Sequence, residues 1–323
     1  MTVYSYHISH EQFAPSELLK LVQQAEAAGF EAAFSSDHLQ PWSSEQGHSG
    51  FAWSWLGAAL HATKRLTFGV ITVPGNWRYH PVVLAQAVAT LGEMFPNRLP
   101  WIAVGSGEAI NERVTGRVWP DKAERNERTR EGVEIMRRLL RGETVTHRGR
   151  LRTINAKVWS RPEQPTQIVG AATSEATAEW LGSWADGLLT AGSSSQTVRP
   201  LIEAFKRGGG EGKPIHLKID LSFASTEAEA LTNAHSQWRF NVLGGDANWE
   251  LSSPAHFDQA TRFIRPEDMR SSVLISSEPD QFVEWLRGLA RLGVSSMDLH
   301  NVGPNQSEFI EIFGREVLPR LQS

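Results

Sequence analysis

The residues best suited to chemistry are Asp37-His38, with Trp42 four positions further on. Histidine titrates near neutrality and, beside a carboxylate, suits general acid–base work. A lone histidine at a strand end is more often structural; the adjacent carboxylate and the nearby indole favour a functional one. Glu108 is the second candidate, set among Gly105, Ser106 and Gly107 with Asn111 following. Glycines there let a flat or phosphorylated ligand approach the backbone closely. The plainer reading is a helix start, with Ser106 as N-cap and Glu108 in the first turn. The two are compatible, because a helix N-terminus also binds anions. His7 and His10 form an H-x-x-H, which on a strand points the two rings to opposite sides, so no metal site is expected. There is no G-x-S-x-G elbow and no P-loop, so esterase and NTP-hydrolase readings lack support. The absence of cysteine excludes thiolate catalysis, disulfides and cysteine-ligated metal.

The elements that must position these groups alternate along the chain. Short apolar runs at 3–7, 32–36, 66–70, 99–104, 167–171, 187–190, 216–224 and 296–300 read as strands. Amphipathic stretches at 15–28, 53–62, 80–91, 123–140, 174–182, 196–207, 226–240, 279–292 and 306–318 read as helices. Strict alternation implies a parallel sheet with helices outside. Eight units in 323 residues predict a (β/α)8 TIM barrel with one or two insertions, as a single domain spanning 1–323. An open doubly wound sheet is the alternative, but no G-x-G-x-x-G follows the first strand. The irregular polar region 244–265 is read as a lid insertion. In such a barrel the polar residues directly after each strand form the site, which selects Ser35–Trp42, Thr72–Tyr79, Gly105–Glu112, Gly170–Glu175 and Thr190–Ser193.

Composition narrows the class. Apolar residues make up 40% and charged residues 21%, with a net charge of −4; this is a globular balance with no general pull toward nucleic acid or anionic membrane. The start MTVYSYHISHEQF lacks a basic segment followed by an apolar run, and no window is long and apolar enough to span a membrane, so a soluble cytoplasmic protein is expected. There are 12 Trp against 3 Tyr, and Trp42, Trp53, Trp55 and Trp77 suggest a pocket walled by aromatic rings.

S-D-H-L-Q-P-W at 36–42, W-R-Y-H-P at 77–81 and P-N-R followed by V-G-S-G-E-A-I-N-E between 96 and 112 resemble the bacterial-luciferase-like superfamily of barrel oxidoreductases. The nearest branch is that of the deazaflavin-dependent (coenzyme F420) dehydrogenases typified by the glucose-6-phosphate enzyme. The resemblance implies roles. His38 would take the substrate hydroxyl proton as hydride leaves the carbon, Trp42 would wall the reacting ring, and Glu108 would protonate the reduced ring nitrogen. Imidazole and carboxyl would thus address opposite sides of one planar tricycle. Asp37, Ser106, Gly107 and Asn111 would hold the ring and its ribityl chain, with Thr72 beside a non-proline cis peptide expected near 71–72. The turn formed by Ala172, Thr173, Ser174, Glu175 and Ala176 would meet the phosphate, and Thr190 and Ser193 would face the substrate. Two departures follow. Basic residues expected for a sugar phosphate are replaced by Ser193, Gln259 and Ser272, so glucose 6-phosphate is not the expected substrate. Ala172-Thr173 replaces a Gly-Gly pair, which leaves FMN and F420 both open as cofactor. The expected function is a flavin- or deazaflavin-dependent oxidoreductase acting on a small organic substrate. The alternatives are an FMN-dependent monooxygenase fed by a partner flavin reductase, a metal-dependent hydrolase and a non-catalytic flavin-binding protein. By analogy with the family, a homodimer is expected.

Overall fold

The computed structural model describes residues 2–245 and 247–322. Its strands are β1 (Val3–Ile8), β2 (Ala32–Ser36), β3 (Thr67–Thr72), β4 (Trp101–Val104), β5 (Val145–Arg148), β6 (Arg152–Ala156), β7 (Gln167–Ala171), β8 (Leu188–Ala191), β9 (Ile215–Phe223), β10 (Leu274–Ser276) and β11 (Ser296–Asn301). Eight of them, β1-β2-β3-β4-β7-β8-β9-β11, pair in parallel, and the β11–β1 ladder closes the ring. The closed (β/α)8 barrel expected from the alternation is therefore the fold.

The longer helices that connect the strands each bury one stripe against this ring. Pro15–Ala28 seals Leu18, Leu21, Val22 and Ala25 and ends at Gly29, whose φ of 99° is the left-handed cap that glycine reaches freely. Inside, the strands alternate. Along β9, Leu217, Ile219 and Leu221 join the outer core, while His216, Lys218 and Asp220 turn to the lumen, where they meet Trp101, His300 and one another. The floor of the lumen is a stack of Phe34 on Trp101 (5.3 Å) and Trp101 on His216 (4.1 Å). A Cβ at Gly69 would lie 2.6 Å from the Trp101 ring, so this position must be glycine for the floor to close.

The structure adds elements that the alternation did not reveal. β5 and β6 form an antiparallel hairpin beside the barrel. β10 pairs with β9 at Leu221–Phe223, beyond the reach of β8, which pairs only at Ile215–Lys218. The region 244–265 contains the short helices Ala247–Glu250 and Pro254–Ala260, and its residue 246 lies outside the described residues. No cis peptide bond occurs among the described residues, so the one expected near 71–72 is not there. None of the described helices is long and apolar enough to cross a membrane.

Candidate active site

The mouth of the barrel brings together the C-terminal ends of β1, β2 and β4. His38 follows β2, and its imidazole is 9% exposed. Glu108 follows β4, with one carboxylate oxygen 3.8 Å from His38 Nε2. Asn111 binds both together. Its Oδ1 accepts from the Leu39 and Gln40 amides at 2.8 and 3.3 Å, which fixes the amide's orientation. Its Nδ2 then donates to Glu108 Oε2 at 2.8 Å and lies 3.2 Å from His38 Nδ1. A gap of 3.8 Å is about half of what a ring plate needs, since each face requires a contact of ~3.5 Å. The two groups share one site, as expected, but they do not sandwich a tricycle; a planar ligand must lie to one side of the pair.

Trp42 walls the same site. Its ring is 4.9 Å from that of His38, stacks on Phe240 at 5.0 Å and meets Phe257 edge-on at 5.3 Å. Phe257 belongs to the helix Pro254–Ala260 and is fully buried, so the region read as a lid is packed onto the aromatic wall.

Asp37 is used otherwise. Its carboxylate accepts from Thr72 Oγ1 (3.0 Å), Arg78 Nη2 (3.1 Å) and the Tyr79 hydroxyl (3.0 Å). Burial, followed by Asp37, raises the Tyr79 phenol above its usual range. Asp37 and Thr72 therefore latch the W-R-Y loop to the base of His38. Glu112 makes a second latch, accepting from the Trp77 and Arg78 amides at 2.9 and 3.1 Å; burial raises its pKa. Ser106 is not an N-cap. The helix is the single turn Ala109–Glu112, with Glu108 at the cap position, and Ser106 Oγ instead accepts from Lys122 at 3.0 Å. Gly107 adopts φ 85°, and a Cβ there would lie 2.8 Å from Asn76 Nδ2. Ala172 is buried and donates its amide to Leu189. Thr173, Glu175 and Ala176 are exposed on the next turn, where Ser174 caps the helix Glu175–Gly182. Glu175 turns toward Arg207 at 3.7 Å, away from the turn. Thr190 is buried with its hydroxyl unpartnered, and Ser193 is half-buried just beyond β8.

The sequence reading missed a set of buried ionisable groups. Glu11, after β1, lies 3.5 Å from His38 Nδ1 and accepts from Ser9 and Ser36. Burial works to raise its pKa, but His38, His7, a backbone N–H and His10 outweigh it and hold the carboxyl at about 2. His7 pairs with Asp298 at 2.6 Å across β1 and β11, whereas His10 turns to Ser35 at 3.0 Å. The two histidines take different partners, but His10 lies beyond the end of β1, so strand alternation is not what separates them. Lys218, Asp220 and His300 form a third group, with His300 Nδ1 2.9 Å from Asp220 and its Nε2 2.9 Å from Gln12 Oε1. Burial, then His7 and Lys218, push His300 down to about 3. The signal was present: H-L-K-I-D and S-M-D-L-H place polar residues at every second position of a strand, which in a barrel means inward.

An acid–base pair at the C-terminal mouth of a parallel barrel, walled by aromatic rings, is the arrangement of a barrel enzyme's active site. The model of the luciferase-like monooxygenase family matches residues 2–296, and the chain belongs to that family. An F420-dependent glucose-6-phosphate dehydrogenase of Segniliparus rotundus is 35% identical over 98% of this chain and 97% of its own. Among solved structures, an F420-dependent secondary alcohol dehydrogenase in complex with an F420–acetone adduct superposes with a TM-score of 0.91 at 26% identity, covering 100% of this chain and 99% of that one. A long-chain alkane monooxygenase shares the fold, with a TM-score of 0.74 at 15% identity over 100% of this chain and 91% of its own.

Proposed function

We propose that the chain is a dehydrogenase of small alcohols that uses F420 or FMN, with His38 as the base. The observation that carries this reading is the joining of His38, Glu11, Asn111 and Glu108 at one barrel mouth. The loop Gly105–Gly107 fits a ring whose edges carry carbonyls and N–H groups. Asn76 Oδ1, Glu112 Oε1 and Trp119 Nε1, from the residues packed around Gly107, and Thr190 Oγ1 on β8 are buried without a protein partner. The exposed helix N-terminus at Ser174–Ala176 offers N–H groups to a phosphate. Once bound, the cofactor supplies a hydride acceptor.

His38 manages the proton. Two neighbours compete for Nδ1: the Asn111 amide offers a hydrogen and the Glu11 carboxylate takes one. Glu11 is held ionised, so it retains a proton on Nδ1 and leaves the Nε2 lone pair facing the mouth. Nε2 accepts the alcohol proton, and Glu108, 3.8 Å away, balances the imidazolium. Trp42, Phe240 and Phe257 exclude water from that side, and the segment 244–265 serves as their cover. Without cations at Ser193, Gln259 and Ser272, glucose 6-phosphate is a poor substrate.

Titrating the protein with F420 and, separately, with FMN while following ring fluorescence tests the reading. At least one should bind well below millimolar and then be reduced by an alcohol in the absence of oxygen. Binding of neither refutes the proposal, and a product carrying an oxygen atom from O2 when reduced FMN is supplied would place the chain among monooxygenases instead.

A further inference from the structure

Lys218 is the single lysine or arginine in the eight barrel strands. It sits on the inner row of β9, in register with Ala191 of β8. Its ammonium is braced on three sides. It donates to Asp220 Oδ1, it lies 3.3 Å from His300 Nδ1, and it stands over the Trp238 ring at 5.2 Å. Asp220 is anchored in turn by Asn241 at 3.2 Å. The His300 ring is fixed from the other side. Gln12 Nε2 donates to the Val302 carbonyl, so Gln12 Oε1 must accept from His300 Nε2. His300 Nδ1 on the other edge of the ring faces both Asp220 Oδ1, at 2.9 Å, and the Lys218 ammonium, at 3.3 Å.

Asp220 and His300 Nδ1 are the ammonium's hydrogen-bond partners among the described residues, so they use at most two of its three hydrogens and at least one has no such partner. A sealed internal ion pair would not need that opening. The Lys218 side chain is 21% exposed against 10% for Asp220, and the neighbouring Ala191 is small and exposed, leaving room beside the ammonium. An unbroken row of rings leads from the base to this cation: His38 to Trp42 (4.9 Å), Trp42 to Phe240 (5.0 Å) and Phe240 to Trp238 (4.6 Å). One end of this apolar wall handles a proton, and the other end holds a fixed positive charge.

We infer that Lys218 is a specificity-determining residue and that the substrate is a secondary alcohol bearing a carboxylate. Its hydroxyl lies at His38, its chain follows the aromatic wall, and its carboxylate accepts from the free hydrogen of Lys218. This assignment rests on the dehydrogenase reading above for the alcohol, whereas the anion site can be tested apart from it.

Two measurements separate the claims. First, secondary hydroxycarboxylates with the hydroxyl on the penultimate carbon and chains of about four to twelve carbons are each compared with their methyl esters as substrates of the cofactor-loaded enzyme. The acid of the fitting length should exceed its ester in kcat/KM by roughly 10- to 100-fold, the worth of a charge-assisted hydrogen bond. Lys218→Met combined with Asp220→Asn, which avoids stranding a buried carboxylate, should abolish that preference while thermal melting confirms folding. Second, calorimetry measures butyrate against butyramide on the full-length protein, where wild type should prefer the acid and the double variant should not. Oxidation of alcohols with no preference for the acid, or with a preference that survives in the double variant, overturns the inference and leaves the dehydrogenase reading intact. Butyrate selectivity that depends on Lys218, with no alcohol oxidised, upholds the anion site and removes the dehydrogenase reading. Loss of both effects overturns both.

Discussion

Replacing Glu11 with Gln tests the proton path most sharply. The substitution keeps the size and one acceptor oxygen for Ser9 and Ser36, while it deletes the charge and puts an NH2 group in place of the oxygen that faces His38. In the wild type that charge lies 3.5 Å from His38 Nδ1, with both side chains buried. When His38 accepts the alcohol proton, its imidazolium meets a carboxylate at this distance. At an effective dielectric of ~20 the attraction is about 4–5 kcal/mol. The amide dipole of Gln recovers part of this, and Asn111 then competes unopposed for Nδ1 and favours the unproductive tautomer. We expect turnover to fall by about two to three powers of ten, with cofactor affinity changed less than about threefold. Glu11 titrates at about 2, so it stays ionised across the working range, and the loss should be equally large at pH 6 and pH 8. The assay is single-turnover reduction of the cofactor with saturating alcohol. Turnover within about fivefold of wild type would refute the argument, as would a parallel loss of cofactor binding, which would make Glu11 merely structural.

Other consequences concern stability. Burial holds His10 and His216 at about 4, and burial with His7 and Lys218 holds His300 at about 3. In the unfolded chain each takes up its proton near ~6.5. The unfolded state therefore binds more protons below that pH, and stability should be full above it and fall steadily toward pH ~4. Urea unfolding at pH 7 and pH 5 measures this, and His216→Gln should reduce the slope by about a third; an unchanged slope would contradict the assignment. Asp37→Ala strands the Arg78 guanidinium, whose side chain is 8% exposed, and should destabilise the protein by about 3–5 kcal/mol in the same assay. A loss below about 1 kcal/mol would mean that the latch is not holding the W-R-Y loop.

β3, β4, β7 and β8 were readable because a parallel strand buried on both faces appears as a short run rich in Val, Ile, Leu and Ala, whereas β9 and β11 were readable from their alternation of apolar and polar residues. The hairpin β5–β6 escaped because its strands are four and five residues long, polar and partly exposed. β10 escaped because three residues carry no period. At the mouth, His38, Trp42, Glu108 and Asn111 stood in short local motifs and lie together, although His38 and Glu108 are too close to take opposite faces of one ring. Asp37 stood in the same motif, but its carboxylate turns to Arg78 and Tyr79, a partnership fixed by the loop rather than by the strand. The alternation in H-L-K-I-D and S-M-D-L-H marked the inner charges as inward-facing, but their partners were unreadable for a different reason. His7 meets Asp298 across 291 positions and Lys218 meets His300 across 82, and only closure of the barrel brings such residues together. Glu11 stood next to the H-x-x-H, yet its link to His38 depends on how the loop after β1 crosses the mouth.

The central claim is that His38 moves the substrate proton without being needed to hold the cofactor. Comparing wild type with His38→Ala, by fluorescence titration of the cofactor and then by single-turnover hydride transfer from an alcohol, tests this directly. The account predicts nearly unchanged affinity and a transfer rate lower by roughly two to four powers of ten. A variant that transfers hydride at the wild-type rate, or one that loses binding and transfer in equal measure, would contradict it.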